Sequence, residues 1–137
     1  MGRFPEVGLI EESLNRCLSR EGFVSQFYFE LCNIHPASYC LLSGPKLETY
    51  KKNLNSILSG LVEFGKGLPS SEKNLSKMAN LETGITQDTI AYWEEALIIA
   101  ITANDQKLDQ ETSQAWRALI KKGLEFILAQ RNLKLAA

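Results

Sequence analysis

The chain has 137 residues, 45% of them apolar, enough to enclose one hydrophobic core and too many for a disordered tail. A formal net charge of -1 and a pI near 5.9 exclude the broad basic field that nucleic acid or an anionic membrane surface requires. No apolar run approaches the ~18 residues of a bilayer span, and residues 1–5 do not open as a secretion signal does, so the expectation is a cytoplasmic chain without a membrane partner.

In chain order the apolar residues recur at three and four, the helical period, and no window alternates at two. A first helix over about 6–20 places Ile10, Leu14, Cys17 and Leu18 on one face and Glu11, Glu12, Asn15 and Arg16 on the other. Gly22 breaks it, and a second helix follows over about 23–33 with Phe27, Leu31 and Cys32 inward. Pro36 fixes a corner, because proline suits a first helical turn and not a helix interior, and a short turn of helix continues to Leu42.

After Ser43-Gly44-Pro45 a long amphipathic helix runs over about 46–65, with Leu47, Tyr50, Leu54, Ile57, Leu58, Leu61 and Val62 as its buried stripe. Gly67-Leu68-Pro69 ends it, and Ser70 is a candidate N-cap for a weaker helix that follows. Thr86 is expected to cap the next helix, over about 87–102, which is the most apolar: Ile90, Trp93, Ala96, Leu97, Ile99, Ala100 and Ile101. Asp109 opens a last helix to about residue 130 that buries Trp116, Leu119, Ile120, Leu124, Ile127 and Leu128. No linker or composition shift divides the chain, so 1–137 reads as one all-α domain.

Little in the chain points to catalysis. The carboxylate pairs Glu11-Glu12 and Glu94-Glu95 are adjacent, so their side chains diverge around a helix and read as solvated faces. No phosphate-cradling loop, nucleophile elbow or Cys/His metal spacing is present, and the doublets Lys51-Lys52 and Lys121-Lys122 are too small and dispersed for a nucleic-acid groove. Cys17, Cys32 and Cys40 are odd in number and lie among apolar neighbours, which favours buried free thiols over disulfides. The single histidine, His35, precedes Pro36, which restricts it to extended backbone. It reads as a corner residue making a local hydrogen bond. The chain is expected not to be an enzyme.

The order of elements from about Leu9 to Gln130 resembles the globin superfamily, specifically single-domain bacterial globins and the globin part of flavohaemoglobins. The residues that carry the resemblance are Phe27-Tyr28 followed eight residues later by Pro36, Gly84-Ile85 leading to Trp93-Glu94-Glu95-Ala96-Leu97, and Ala115-Trp116. It implies a globin-like fold of about seven helices around a pocket. Tyr28 falls where the family has a distal tyrosine, and Tyr50 and Leu54 where the middle helix turns a polar and then an apolar residue toward haem. Leu42 stands where a phenylalanine normally stacks on the porphyrin, which leaves bulk apolar contact alone.

The departure from the family lies at the iron. Residues 76–85 contain no histidine, and the proximal position falls near Asn80 or, with a longer turn, Met78. An amide is a poor iron ligand, and a thioether serves beside a stronger nitrogen donor that is not evident here. The supporting tyrosine of flavohaemoglobins is matched by Ile90. Candidate pocket residues are therefore Tyr28, Leu42, Tyr50, Leu54, Met78, Asn80 and Trp93. The leading expectation is a haem-free sensory, regulatory or protein-interaction module, with no metal, a protein partner or self-association, and an optional small apolar ligand. The alternatives are a haem-binding globin that holds oxygen or another diatomic gas through unconventional ligation, and a helical adaptor unrelated to globins.

Overall fold

The computed structural model describes residues 5–80, 86 and 88–136, with the side chains at 41, 43, 80 and 132–136 outside that description. Seven α-helices run through the described residues: α1 (Val7–Leu18), α2 (Phe23–Ile34), α3 (Cys40–Ser43), α4 (Leu47–Gly65), α5 (Ser71–Lys77), α6 (Ile90–Asn104) and α7 (Gln110–Ala136). Two short 3-10 turns, Pro36–Tyr39 and Met78–Asn80, follow α2 and α5. The all-α reading from helical periodicity is what the chain adopts.

Local chemistry explains most boundaries. His35 holds φ -130° and ψ 87°, the extended geometry that a following proline imposes, and α2 stops there. Gly67 has φ 70°, a left-handed conformation just past α4 that glycine adopts without a Cβ clash, and the chain reverses at that point. Asp109 caps α7 as expected: its Oδ1 accepts the Thr112 amide at 2.8 Å.

Four expectations need correction. The Ser70 hydroxyl makes no cap bond to α5; Ser71 Oγ donates instead to the Leu68 carbonyl at 2.7 Å. Thr86 does not start α6, because the Thr86 amide donates to Thr89 Oγ1 at 2.9 Å in a turn that delays the helix to Ile90. Leu18 is 40% exposed because α1 ends at that residue, where the chain leaves the core. The last helix continues beyond residue 130 to Ala136, since no proline or glycine interrupts it there.

A single core cluster draws on α1, α2, α4, α5, α6 and α7. Each large apolar side chain fully withdrawn from water contributes about 1.5–3 kcal/mol before the chain-ordering cost is subtracted. Two buried glycines set how closely the helices approach. A Cβ built at Gly123 of α7 would lie 2.0 Å from Leu61 Cδ2 of α4, and one at Gly60 of α4 would lie 2.6 Å from Met78 Sδ. Leu61 and Met78 thus occupy the space that missing side chains leave open.

α6 packs chiefly on α2, and their contact is pinned at one end by Asn104 Nδ2 donating to Gln26 Oε1 at 2.9 Å. Next to that end lies a buried polar network. The Asp105 carboxylate accepts Ser13 Oγ at 2.6 Å, Arg16 Nε at 2.5 Å, Arg16 Nη2 at 3.0 Å and the Lys107 amide at 3.0 Å. Trp116 Nε1 in turn donates to Ser13 Oγ at 2.9 Å, so one carboxylate ties α1 and α7 to the end of α6. Among the described residues no helix is long and apolar enough to cross a membrane.

Candidate functional site

At the opposite end of α6 the packing is aromatic. Phe27 and Tyr28 of α2 meet edge to face at 4.8 Å between ring centroids, and Phe27 meets Trp93 of α6 at 4.7 Å. Tyr28 also lies 6.4 Å from Trp93, edge to face, and 6.4 Å from the tilted ring of Tyr50 on α4. Such pairs contribute about 0.5–1.5 kcal/mol beyond the area they bury. Phe27, Tyr28 and Trp93 are fully buried, whereas Tyr50 is half-buried and forms the rim.

Four of the seven pocket candidates thus sit together or on one helix: Tyr28, Tyr50 and Trp93 by ring contact, and Leu54 fully buried one turn beyond Tyr50 on α4. Phe27, placed inward but not named as a pocket residue, bridges Tyr28 and Trp93. The signal for it was its four-residue spacing from Phe23 and Leu31, which puts all three on one face of α2.

Burial alters the chemistry of this group. The Tyr28 phenol is held well above its ordinary range by desolvation, with the neighbouring Tyr50 adding to the effect, so it stays protonated at any physiological pH. Trp93 has the opposite difficulty. Its Nε1–H is buried and no acceptor meets it among the described residues. A buried indole N–H normally finds a partner, and leaving one unmet costs about 1–3 kcal/mol.

The other candidates lie elsewhere or outside the description. Leu42 is half-buried against the core. Met78 is half-buried too, and its thioether packs against the backbone face of α4 at Gly60. The turn that carries it is anchored by Arg131 Nε donating to the Ala79 carbonyl at 3.0 Å, and the end of α5 before it by Ser76 Oγ donating to Gln130 Oε1 at 3.1 Å. The side chain of Asn80 and the markers Gly84 and Ile85 lie outside the described residues.

His35 is the corner residue anticipated. Its Nδ1 is 2.8 Å from Ser38 Oγ, and its ring stacks on Tyr92 at 4.6 Å. Cys17 and Cys32 are buried free thiols, and burial pushes Cys17 up to about 12, with Asp105 adding and Arg16 opposing. The expectation of burial fails for Cys40, which is exposed because it starts the short α3 at the surface corner. Glu95 faces Arg117 at 3.5 Å and Glu11 faces Lys66 at 2.8 Å, while Glu94 is half-buried near Lys121 and Glu125 of the same α7, and burial raises its carboxyl above the ordinary range.

A half-open groove of about 450 Å³ runs between the α1–α2 corner and the outer face of α4. Leu18 and Val24 give it an apolar floor, and Arg20, Glu21, Lys51 and Lys52 give it a mixed-charge rim.

No protein-family model matches the chain. No curated protein matches it. A solved structure does: that of a protein from Pseudomonas aeruginosa PAO1 described as structurally highly homologous to a human hemoglobin. The TM-score is 0.75 at 23% identity, over 91% of this chain and 97% of that one. At that identity the likeness is one of fold, and the fold is globin-like.

Proposed function

We propose that this chain is a haem-free, globin-fold module that works by contact with protein rather than by catalysis or gas carriage. The observation that carries the reading is the whereabouts of its only imidazole. His35 is spent on Ser38 and Tyr92 at the outer corner after α2, remote in sequence from the stretch where the fold family holds iron. The Met78 thioether is turned to α4, and Tyr28 is closed beneath Phe27, Tyr50 and Trp93.

These residues do not fit an iron porphyrin. The group needs a strong axial donor, and the described side chains beside the middle helix, Tyr28, Tyr50, Leu54 and Trp93, include no imidazole or thiolate. With no strong iron donor among these residues, the role falls to the outer faces. Phe29 of α2 is 54% exposed and Tyr92 of α6 is 38% exposed, and aromatic residues on a surface are common anchors for a protein partner or a second copy. The intended cell compartment under this reading is the cytoplasm.

Titrating purified protein with hemin and recording absorbance tests the proposal. The expected result is the broad spectrum of unligated hemin at every ratio. A sharp Soret band that saturates at one equivalent and is lost in Met78→Ala or Tyr28→Phe would overturn it.

A further inference from the structure

The unmet indole of Trp93 is the one feature of the aromatic cluster that packing leaves unexplained. The tryptophan is fully buried, its ring lies within contact range of Phe27 and Tyr28, and its Nε1–H has no acceptor among the described residues. The comparison within the same chain is Trp116, equally buried, whose Nε1–H donates to Ser13 Oγ at 2.9 Å. A fold that satisfies one buried indole and not the other leaves a directional demand at Trp93.

We infer that the cluster is a binding site for a small flat ligand carrying one hydrogen-bond acceptor, a carbonyl or its equivalent on an aromatic or planar apolar frame, with Trp93 Nε1 as the donor. The inference rests on the haem-free reading and names the class of molecule such a module would sense.

Three features fit this chemistry. Phe27, Tyr28 and Trp93 meet edge to face, so a planar apolar body is taken in by displacing the half-buried Tyr50 ring and replacing it against Tyr28. The Tyr28 phenol, kept protonated by burial, adds no charge, so an uncharged ligand avoids the cost of burying an unpaired charge. Entry is by way of Tyr50, the half-buried member of the four, whose ring covers Tyr28 from α4 and can rotate outward from the rim. An acceptor brought to Trp93 relieves an unmet donor, so the acceptor carries the specificity and the rings carry the bulk of the contact.

The test uses two probes of similar shape, acetophenone with a carbonyl and ethylbenzene without one, titrated into the full-length ¹⁵N-labelled chain. Only two indole Nε1–H signals exist, and Trp93→Phe assigns them. Acetophenone is expected to bind about tenfold or more tightly than ethylbenzene, as an unmet buried donor predicts, and to move the Trp93 signal while leaving that of Trp116 in place. Trp93→Phe brings the two probes within about twofold of each other, the difference a lost hydrogen bond no longer makes. Should that variant fail to fold, Tyr50→Ala keeps the donor and opens the rim, and it is expected to bind acetophenone more tightly than the parent chain.

Equal affinity for the two probes, no binding of either, or a Trp93 signal that neither probe moves because a buried water already meets the donor would each overturn the inference. A hemin titration on the same sample reads the haem-free proposal separately, through its Soret band.

Discussion

Trp116 and Trp93 are both fully withdrawn from water, yet they stand in regions built by opposite rules. Around Trp116 every polar group drawn into the core finds a partner: the indole meets Ser13, Ser13 meets Asp105, and Asp105 takes Arg16 and the Lys107 amide as well. Around Trp93 the neighbours include the rings of Phe27 and Tyr28, and the indole is left without an acceptor among the described residues. A closed hydrogen-bond network specifies one arrangement of α1, α6 and α7, because any displacement breaks several bonds together. An aromatic cluster with one open donor and one half-exposed ring tolerates rearrangement. The first region fixes the scaffold, and the second is where we propose that a ligand is met.

The contrast is broken most severely by removing Asp105. Its carboxylate is pushed up by burial, but Arg16, Ser13 and the Lys107 amide more than offset this and hold it below the ordinary carboxylate range. Asp105→Ala strands those donors and is expected to cost about 3 kcal/mol in urea unfolding, discounted because Arg16 remains partly hydrated. The pH dependence has a definite sign. A depressed folded value means the stabilisation is complete above the unfolded value near about 4 and is lost as pH falls through the folded one. The parent chain should therefore lose stability in acid more steeply than Asp105→Asn.

A finer comparison sets the two indoles against each other. Trp116→Phe removes a made hydrogen bond to Ser13, whose hydroxyl keeps only its bond to Asp105, whereas Trp93→Phe removes a donor that has no partner among the described residues. Both lose similar packing, so Trp116→Phe is expected to be the more destabilising by about 1–2 kcal/mol. Equal costs would mean that Trp93 is satisfied after all.

The smallest expected effect is at Tyr28. Its phenol is raised by burial, so the stability tied to its protonated form is complete below the unfolded value near about 10 and is lost as pH rises beyond it. Tyr28→Phe should flatten the alkaline decline by about 1 kcal/mol in a pH series of thermal melts.

What could be read from sequence follows the range of the interactions. Leu54, Ile57, Leu58 and Leu61 announce α4 by spacing alone, and Asp109 announces the start of α7, because both signals lie within a few residues. Tyr28, Tyr50 and Trp93 were placed together through the resemblance of the whole chain, and ring contacts join them. The Asp105 network was not legible: its partners Ser13 and Arg16 lie 92 and 89 residues away, and no local pattern marks a carboxylate for burial. Nor was the packing of Met78 on Gly60, since a glycine inside a helix reads as a weak point until the neighbour filling its space is seen. Thr86 and Thr89 offer the same capping chemistry three residues apart, and only the turn between them decides which one precedes the helix.

The central claim, that this globin fold holds no haem, is tested most directly by its pigment. The protein is expressed in cells fed a haem precursor, purified, and assayed for haem content by the pyridine haemochrome spectrum. The account predicts haem at far below one equivalent per chain; one equivalent of coordinated haem, by whatever ligand, would contradict it.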